Sequence, residues 1–322
     1  MTKRIKLTVS HAPFWHDGDS ICKMNLNMIL AAMPAVIFGI VKFGMPALGV
    51  ILLAISASMF FELVMNFAMK RPISIMDYDA ALIGLLFGMM LPATTPWWVV
   101  VTGALVAIVI GKQIYGGLGA NPFNPVLVGV AILMISWPGY FDADAALLNY
   151  EFDFKALAPL AALKHQGVSA LDFFSIKDLI MGNQVGSIGT TFGLGLIIGG
   201  VFLIVRGYIR WEITISYIAG IIITALIFKM SNPQGFAGPM FHLFSGYTLF
   251  GAVFLATENS SSPVNLIPML IYGLLGGTMI ILIRNIGAYP DGTVLAILLT
   301  NLVNPLIDFI RPKALGRGVN NA

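Results

Sequence analysis

Gly111 to Pro125 reads GKQIYGGLGANPFNP and lies between two strongly apolar runs. Three readings compete: a phosphate-cradling loop, a surface turn, or a break in a membrane helix. A Walker loop needs G-x-x-x-x-G-K-[ST] between a strand and a helix. Here Lys112 precedes the glycines, and no strand pattern flanks them. The surrounding chain decides the rest. Its 322 residues are 58% hydrophobic and only 10% charged, with mean hydropathy +0.88, whereas soluble domains are about 25% charged. Too little polar surface is available to cover such a chain in water, so it belongs in a membrane. At membrane depth, backbone without helical hydrogen bonds is tolerated only where protein buries it or a wet cavity faces it. Gly111–Pro125 therefore reads as a helix break turned toward the protein interior.

A spanning helix takes about 20 apolar residues. Ten candidates follow, near 27–43, 45–69, 77–92, 96–114, 124–138, 189–206, 211–230, 243–257, 265–284 and 291–310. The third, fifth and eighth are short and border Gly/Pro/Asn-rich segments. LIGLLFGMMLPATTP (82–96) lies over LFGAVFLATENSSSP (249–263), matching Leu82/Leu249, Gly84/Gly251, Phe87/Phe254 and Pro96/Pro263. Five spans per half invert the second half, so the expected fold is an all-α polytopic membrane protein: two inverted five-helix repeats with broken or half helices. The expected division is an N-terminal segment 1–26, a first repeat 27–138, a loop 139–188, a second repeat 189–310 and a tail 311–322. With the N-terminus in the cytoplasm, 12 of the 18 Lys and Arg fall inside, which places both termini inside and the long loop outside. The breaks Gly116–Pro125 and Gly287–Asp291 are expected to face each other and line a polar cavity.

Several classes are excluded. Cys22 is the single cysteine, so neither a disulfide framework nor a multi-cysteine metal site exists within the chain. The N-terminal MTKRIKLTVSHAPFWHDGDS has no apolar core and is not a cleavable signal peptide. A net charge of +3 gives no reason for a nucleic-acid partner. His11, His16, His165 and His242 form no haem or metal signature and read as solvated or capping residues.

Ionisable residues inside a membrane are expensive and usually functional. Glu62 falls within the second span, as an ion or proton ligand or as a partner of Arg71 or Lys70. Asp77 and Asp79 open the third span, in an ion path or as helix caps. Lys112, Gly116, Gly117, Asn121 and Asn124 lie on the first break, where Lys112 could hold a phosphate. Arg284, Tyr289 and Asp291 form the matching break in the second half. Asp308 is expected to pair with Arg311.

At these residues the chain resembles a known family: the D subunit of the Rnf complex and the B subunit of the sodium-pumping NADH:quinone reductase. KQIYGGLGANPFNP, GNQVGSIGTT (182–191), HLFSGYTLFGAVFLAT (242–257) and IRNIGAYPDGTVLAILLTNLVNPLID (283–308) are close to that family's segments. The resemblance implies a subunit, not catalytic alone, of a complex coupling electron transfer to Na⁺ or H⁺ movement in a prokaryotic cytoplasmic membrane. Other membrane subunits and flavin- and iron–sulfur-bearing chains would be its partners. It also implies an FMN esterified to a threonine in an outside D-G-x-S-x-A-T-P-L segment. This chain departs there: FDFKALAPLAALK puts Ala158 on the threonine, Lys155 on the serine and Phe152 on the aspartate. Alanine forms no phosphoester, so covalent FMN is expected to be absent and any flavin, FMN or riboflavin, held non-covalently. Ser187, Thr190 and Thr191, in the SIGTT stretch, are further cofactor-contact candidates. Thr190 and Thr191 are alternatively an attachment point or the cap of the sixth span. TENSSSP (257–263) also departs, since the family usually has Thr-Asp-Pro there. A stand-alone channel or secondary transporter for a small polar solute or ion is the alternative reading.

Overall fold

The structure is a computed structural model and describes residues 18–141, 150 and 157–311. These residues are helical, with no strand among them. The order is α1 (Ile21–Phe43), α2 (Met45–Ala68), α3 (Asp79–Met89), α4 (Trp97–Leu105) and α5 (Pro125–Ser136). Short loop helices α6 (Pro159–Gln166) and α7 (Ile176–Met181) follow. Then come α8 (Gly193–Arg206), α9 (Trp211–Ser231), α10 (Pro239–Phe244), α11 (Thr248–Phe250), α12 (Leu266–Asn285) and α13 (Thr293–Ile307). Helix α4 runs on through a π turn, Val106–Ile110, and α11 through another, Gly251–Leu255. Among the described residues, five helices are long and apolar enough to cross a membrane, and four shorter apolar ones accompany them.

Small residues set the packing, as expected where lipid offers no hydrophobic drive between helices. A Cβ on Gly277 of α12 would lie 2.1 Å from the Tyr217 carbonyl oxygen of α9, and one on Gly273 would lie 2.0 Å from Ser216 Oγ. Glycine is therefore required for α9 and α12 to touch along their backbones. Helices α1 and α8 meet in the same way, with Gly199 against the Ala31 carbonyl.

Two half-helices run between two cavities. Helix α3 starts at Asp79, whose side chain lines one cavity, and its continuation reaches Pro92 on another. The second half-helix starts at Gly246–Tyr247 on that other cavity and ends at Thr257–Glu258 on the first. The two thus run in opposite senses between the cavities, as inverted repeats require. The C-terminus of α3 leaves carbonyls without helical partners. The GNQVGSIG stretch supplies them: Ile188 N donates to Leu91 O at 3.1 Å and Gly189 N to Met89 O at 2.9 Å. A Cβ at Gly189 would strike the Met89 side chain at 2.5 Å, which explains the glycine.

The sequence-based spans shift at four places. The first begins at Ile21 rather than near 27, with Ser20 as its N-cap, so the helix takes in part of the expected N-terminal segment. The sixth begins at Gly193 with Phe192 in the N-cap position, so neither Thr190 nor Thr191 caps it. The eighth is interrupted at Ser245–Gly246, where Ser245 is extended and Gly246 has φ +66°. The third is helical from Asp79 only, because Tyr78 at φ 59° ends the preceding 3₁₀ turn.

Candidate functional site

Two polar clusters lie beside the two cavities. The first is built on α2. Its buried face carries Ser58, Glu62 and Asn66 at i, i+4 and i+8, one polar stripe facing inward. Glu62 is fully buried, and both its oxygens accept from Lys112 Nζ, at 2.9 and 2.8 Å. The same ammonium lies 2.7 Å from Asp79 Oδ2 at the start of α3. Ser74 Oγ donates to Glu62 Oε1 at 2.6 Å and accepts from Asn66 Nδ2 at 3.0 Å. Asp77 turns its Oδ1 to the Asp79 N–H at 3.0 Å and stays outside the ion pair. Glu62 therefore pairs with Lys112 rather than with Arg71 or Lys70. Arg71 instead donates to the Gly116 carbonyl at 2.7 Å, bracing the break.

The break's glycines serve its backbone. Gly116, Gly117 and Gly119 all have positive φ, a region costly for other residues. Asn124 caps α5 by accepting from Val126 N and Leu127 N, and its Nδ2 donates to Leu255 O in the other half. Asn121 Nδ2 donates to Glu258 Oε1 at 3.2 Å. A cavity of about 170 Å³ opens beside these groups, lined among others by Asn25, Asp79, Asn121, Asn124 and Glu258. Lys112 is not on its lining.

The second cluster centres on Arg284, 4% exposed near the end of α12. Its Nη1 donates to His242 O at 2.7 Å, and its Nη2 to Thr248 Oγ1 at 2.7 Å and Asp291 Oδ1 at 3.0 Å. Asp291 also accepts from Tyr247 N at 2.7 Å and from the Thr293 amide and hydroxyl. Lys164, from loop helix α6, donates to Arg284 O at 3.0 Å and Gly287 O at 2.5 Å, closing the end of α12. Next to this cluster lies a cavity of about 530 Å³. Pro92, Tyr247, Tyr289 and Pro290 supply apolar walls, Ser187, Thr190 and Asp291 polar edges, and Ala158 to Ala161 the loop side. Tyr247 OH lies 2.8 Å from Ser187 Oγ and donates to Met90 O at 3.1 Å, tying the two repeats at this wall.

Several sequence expectations are corrected here. The two breaks do not share a cavity: Gly119 and Asn121 line the smaller one, Tyr289 and Asp291 the larger. Inversion sends equivalent segments to opposite ends. His242 is neither solvated nor a side-chain cap. It is fully buried, and neither ring nitrogen has a hydrogen-bond partner. Arg311 reaches only the Asp308 backbone carbonyl, and Asp308 Oδ1 stays unpartnered. Thr191 Oγ1 is buried and unpartnered, whereas Thr190 lines the larger cavity. Lys155 and Phe152 lie outside the described residues. Sequence reasoning missed Ser74, in the loop after α2, Thr248, at the start of α11, and Lys164, on loop helix α6. The i, i+4, i+8 stripe on α2 was the available signal for the first cluster.

A helical membrane protein with antiparallel half-helices running between a larger, ligand-sized cavity and a smaller one is the class this fold and site define. The chain belongs to the NQR2, RnfD, RnfE family, whose model matches residues 8–316. It is 37% identical to the D subunit of the proton-translocating ferredoxin:NAD(+) oxidoreductase complex of Clostridium ljungdahlii, covering 98% of this chain and 97% of that one. It is 36% identical to the D subunit of the Na(+)-translocating ferredoxin:NAD(+) oxidoreductase complex of Acetobacterium woodii, over 94% and 93% of the two chains. The D subunit of an ion-translocating oxidoreductase complex of Yersinia pseudotuberculosis is 34% identical, over 96% of this chain and 98% of its own.

Proposed function

We propose that this chain is the membrane subunit of an Rnf-type electron-transport complex that couples electron transfer to Na⁺ or H⁺ translocation, with a flavin held non-covalently in the larger cavity. Family membership over 8–316 and the names of relatives at 34–37% identity support the first part. One observation carries the second. Ala158, which stands where the resemblance would put the tethering threonine, lies on the wall of a 530 Å³ cavity. That volume lies within the range of about 300–1,000 Å³ usual for cofactor pockets. The lining fits an isoalloxazine: Tyr247, Tyr289 and prolines for its faces, Ser187, Thr190 and Asp291 for its polar edge. When bound, a flavin supplies one-electron chemistry. The chain's own part is to hold it and exclude water, with Lys164 fixing the end of α12 beneath Tyr289. Asn121, Asn124 and Glu258 offer amide and carboxylate edges for ordered water in the smaller cavity, whose 170 Å³ is too small for a second flavin. Glu62, Asp77 and Asp79 belong to the ion path in this reading.

The partners are the other membrane subunits and the flavin- and iron–sulfur-bearing chains of such a complex. The setting is a prokaryotic cytoplasmic membrane with both termini inside and the 139–186 loop outside, which the 12-to-6 basic asymmetry supports. Intact-mass measurement with in-gel flavin fluorescence tests the cofactor claim. The expected mass is that of the unmodified chain, with flavin released on denaturation. Filling the wall by Ala158→Trp should lower the flavin recovered. A mass increment of one FMN mapped to 140–186 would refute the reading.

A further inference from the structure

Five buried side-chain atoms around Arg284 have no hydrogen-bond partner among the described residues. They are both ring nitrogens of His242, Ser245 Oγ, Arg284 Nε and Tyr217 OH. The described residues hold twelve such atoms in all, so nearly half of them fall at this one place. None of the four residues is more than 4% exposed. The backbone holds three of them together. The Arg284 guanidinium donates to His242 O at 2.7 Å and to Ser245 O at 3.3 Å. The Thr248 hydroxyl donates to the same two carbonyls, each at 2.9 Å. The His242 ring lies within electrostatic reach of Arg284 and Asp291. Tyr217 comes in from α9. A Cβ on Gly251 would lie 3.0 Å from its hydroxyl and 2.7 Å from Thr293 Cγ2, and the Thr293 hydroxyl donates to Asp291 Oδ1. Asp291 in turn bonds Arg284 and lines the larger cavity, so it stands between the cavity and these groups.

A buried polar group without a partner is destabilising, and ordered water is its usual partner. An ion fits badly here. The Arg284 guanidinium repels a cation, and Asp291 already neutralises that guanidinium against an anion. The free groups are instead a balanced set for water: Arg284 Nε donates, the two hydroxyls do both, and a neutral imidazole offers one donor and one acceptor. We propose that buried water bridges His242, Ser245, Arg284 Nε and Tyr217, and that it joins the His242 ring to the larger cavity past Asp291, so that protons exchange between them. A proton taken up at the accepting ring nitrogen is matched by one released from the donating nitrogen to the water beside it. The ring thus keeps no lasting charge next to Arg284. The water site stands on the orphaned groups alone. Its service to a group bound in the cavity rests on the flavin reading above.

The test uses the full-length chain purified in detergent and exposed to X-ray pulses in ¹⁸O-labelled water. Radicals formed from bound water oxidise the side chains around it, whatever their access to bulk solvent. Tyr272 is the control: it is as buried as Tyr217, at 1%, but its hydroxyl accepts from Asn301. Tyr217 and His242 should take up ¹⁸O, and Tyr217 several-fold faster than Tyr272. Melting gives an independent reading. If the groups are dry, Ser245→Ala and Tyr217→Phe each delete an unsatisfied hydroxyl, and the melt stays or rises. If water bridges them, each variant loses a hydrogen bond and should melt about 2–4 °C lower. Equal labelling of Tyr217 and Tyr272 would overturn the proposal, as would both variants melting at or above the wild type. Proton exchange is read in the assembled complex. His242→Leu should slow electron transfer and raise the ratio of its rates in H₂O and D₂O, with flavin content unchanged. His242→Gln keeps a donor and an acceptor but does not pass a proton between them, so it should keep the Tyr217 labelling and lose the rate. Full rates in both His242 variants, beside fast Tyr217 labelling, would uphold the water and overturn the exchange. A wild-type protein without flavin would overturn the flavin reading and leave the labelling result standing.

Discussion

Replacing Gly277 by alanine asks whether the contact between α9 and α12 sets the geometry of the larger cavity. The added Cβ would lie 2.1 Å from the Tyr217 carbonyl oxygen and 2.8 Å from the Ile221 nitrogen. Both are backbone atoms of α9, so no side chain can rotate away. Real Cβ atoms essentially never come under 3.0 Å, so the helices must part by about 1 Å. Overpacking of this kind costs about 1–3 kcal/mol. At about 2 °C per kcal/mol for a large domain, the melting temperature should fall by about 2–6 °C. A second consequence is local. Arg284 lies two turns further along α12, and its guanidinium reaches His242 O and Thr248 Oγ1 at 2.7 Å. Moving α12 outward stretches these bonds and loosens the wall carrying Tyr289 and Asp291, so retained flavin should drop as stability does. Gly49 on α2 is the control, because a Cβ there meets nothing within 4 Å. Gly49→Ala should be neutral, or gain up to about 1 kcal/mol from helix propensity. Detergent melts of both variants, with flavin quantified after gel filtration, decide the matter. A Gly277→Ala protein that melts with the wild type, or a Gly49→Ala protein that falls equally, would refute the reasoning.

Asp291→Ala leaves the Arg284 guanidinium buried without its counter-charge and should cost about 3–5 kcal/mol, read as poor recovery or a lowered melt. Combining it with Arg284→Met should recover part of that loss. Ser187→Ala removes the hydrogen bond to the Tyr247 hydroxyl and should cost about 1 kcal/mol, whereas Tyr247→Phe removes that bond and the one to Met90 O and should cost more. Because they share that bond, the double variant should cost less than the two singles together. In the loop, hydrogen bonds from Ser175 and Asn183 hold the Asp178 carboxyl below its ordinary 3.8. The ionised form is thus the one the fold favours. Protection of amides 176–181 from hydrogen exchange should be full above about pH 4 and decline as pH falls through the lowered value. Ser175→Ala should weaken that protection at neutral pH.

The repeat, the two breaks and the membrane setting were legible because each leaves a local mark: apolar length, glycine and proline clusters, and a shared offset of helix residues. Partner choice was not legible. Glu62 lies eight and nine residues from Lys70 and Arg71, yet it binds Lys112, fifty residues away. Proximity along the chain misleads here because the 69–78 connection turns Arg71 toward the Gly116 carbonyl. Thr190 and Thr191 read as a helix cap, but the SIG stretch before them is spent on the carbonyls of α3, which delays α8 to Gly193. His242 reads as a polar span-end residue. What the fold takes from it is its carbonyl, as an acceptor for Arg284, and the ring is carried inside with that backbone.

The separation of the breaks carries the mechanistic argument further than their likeness does. Both pair a basic side chain near a helix end with a glycine-containing turn, which invites a single composite site. Inversion forbids it, because equivalent positions exchange ends. The chemistry differs accordingly. Arg284 is locked by two carbonyls, a threonine and one carboxylate, so the larger cavity gains a fixed, charge-balanced wall suited to holding a bound group. Lys112 is held by two carboxylates and no carbonyl, so the other end keeps surplus negative charge and a group that can be exchanged. A flexible point charge suits exchange and a planar five-donor fork suits fixing. If that division of labour holds, Lys112→Arg should lock the smaller end. The fork would span Glu62 and Asp79 together, and ion translocation by the assembled complex should fall while flavin content stays unchanged. Loss of flavin in Lys112→Arg would show that the two ends are not independent, and the assignment of different roles to them would fail.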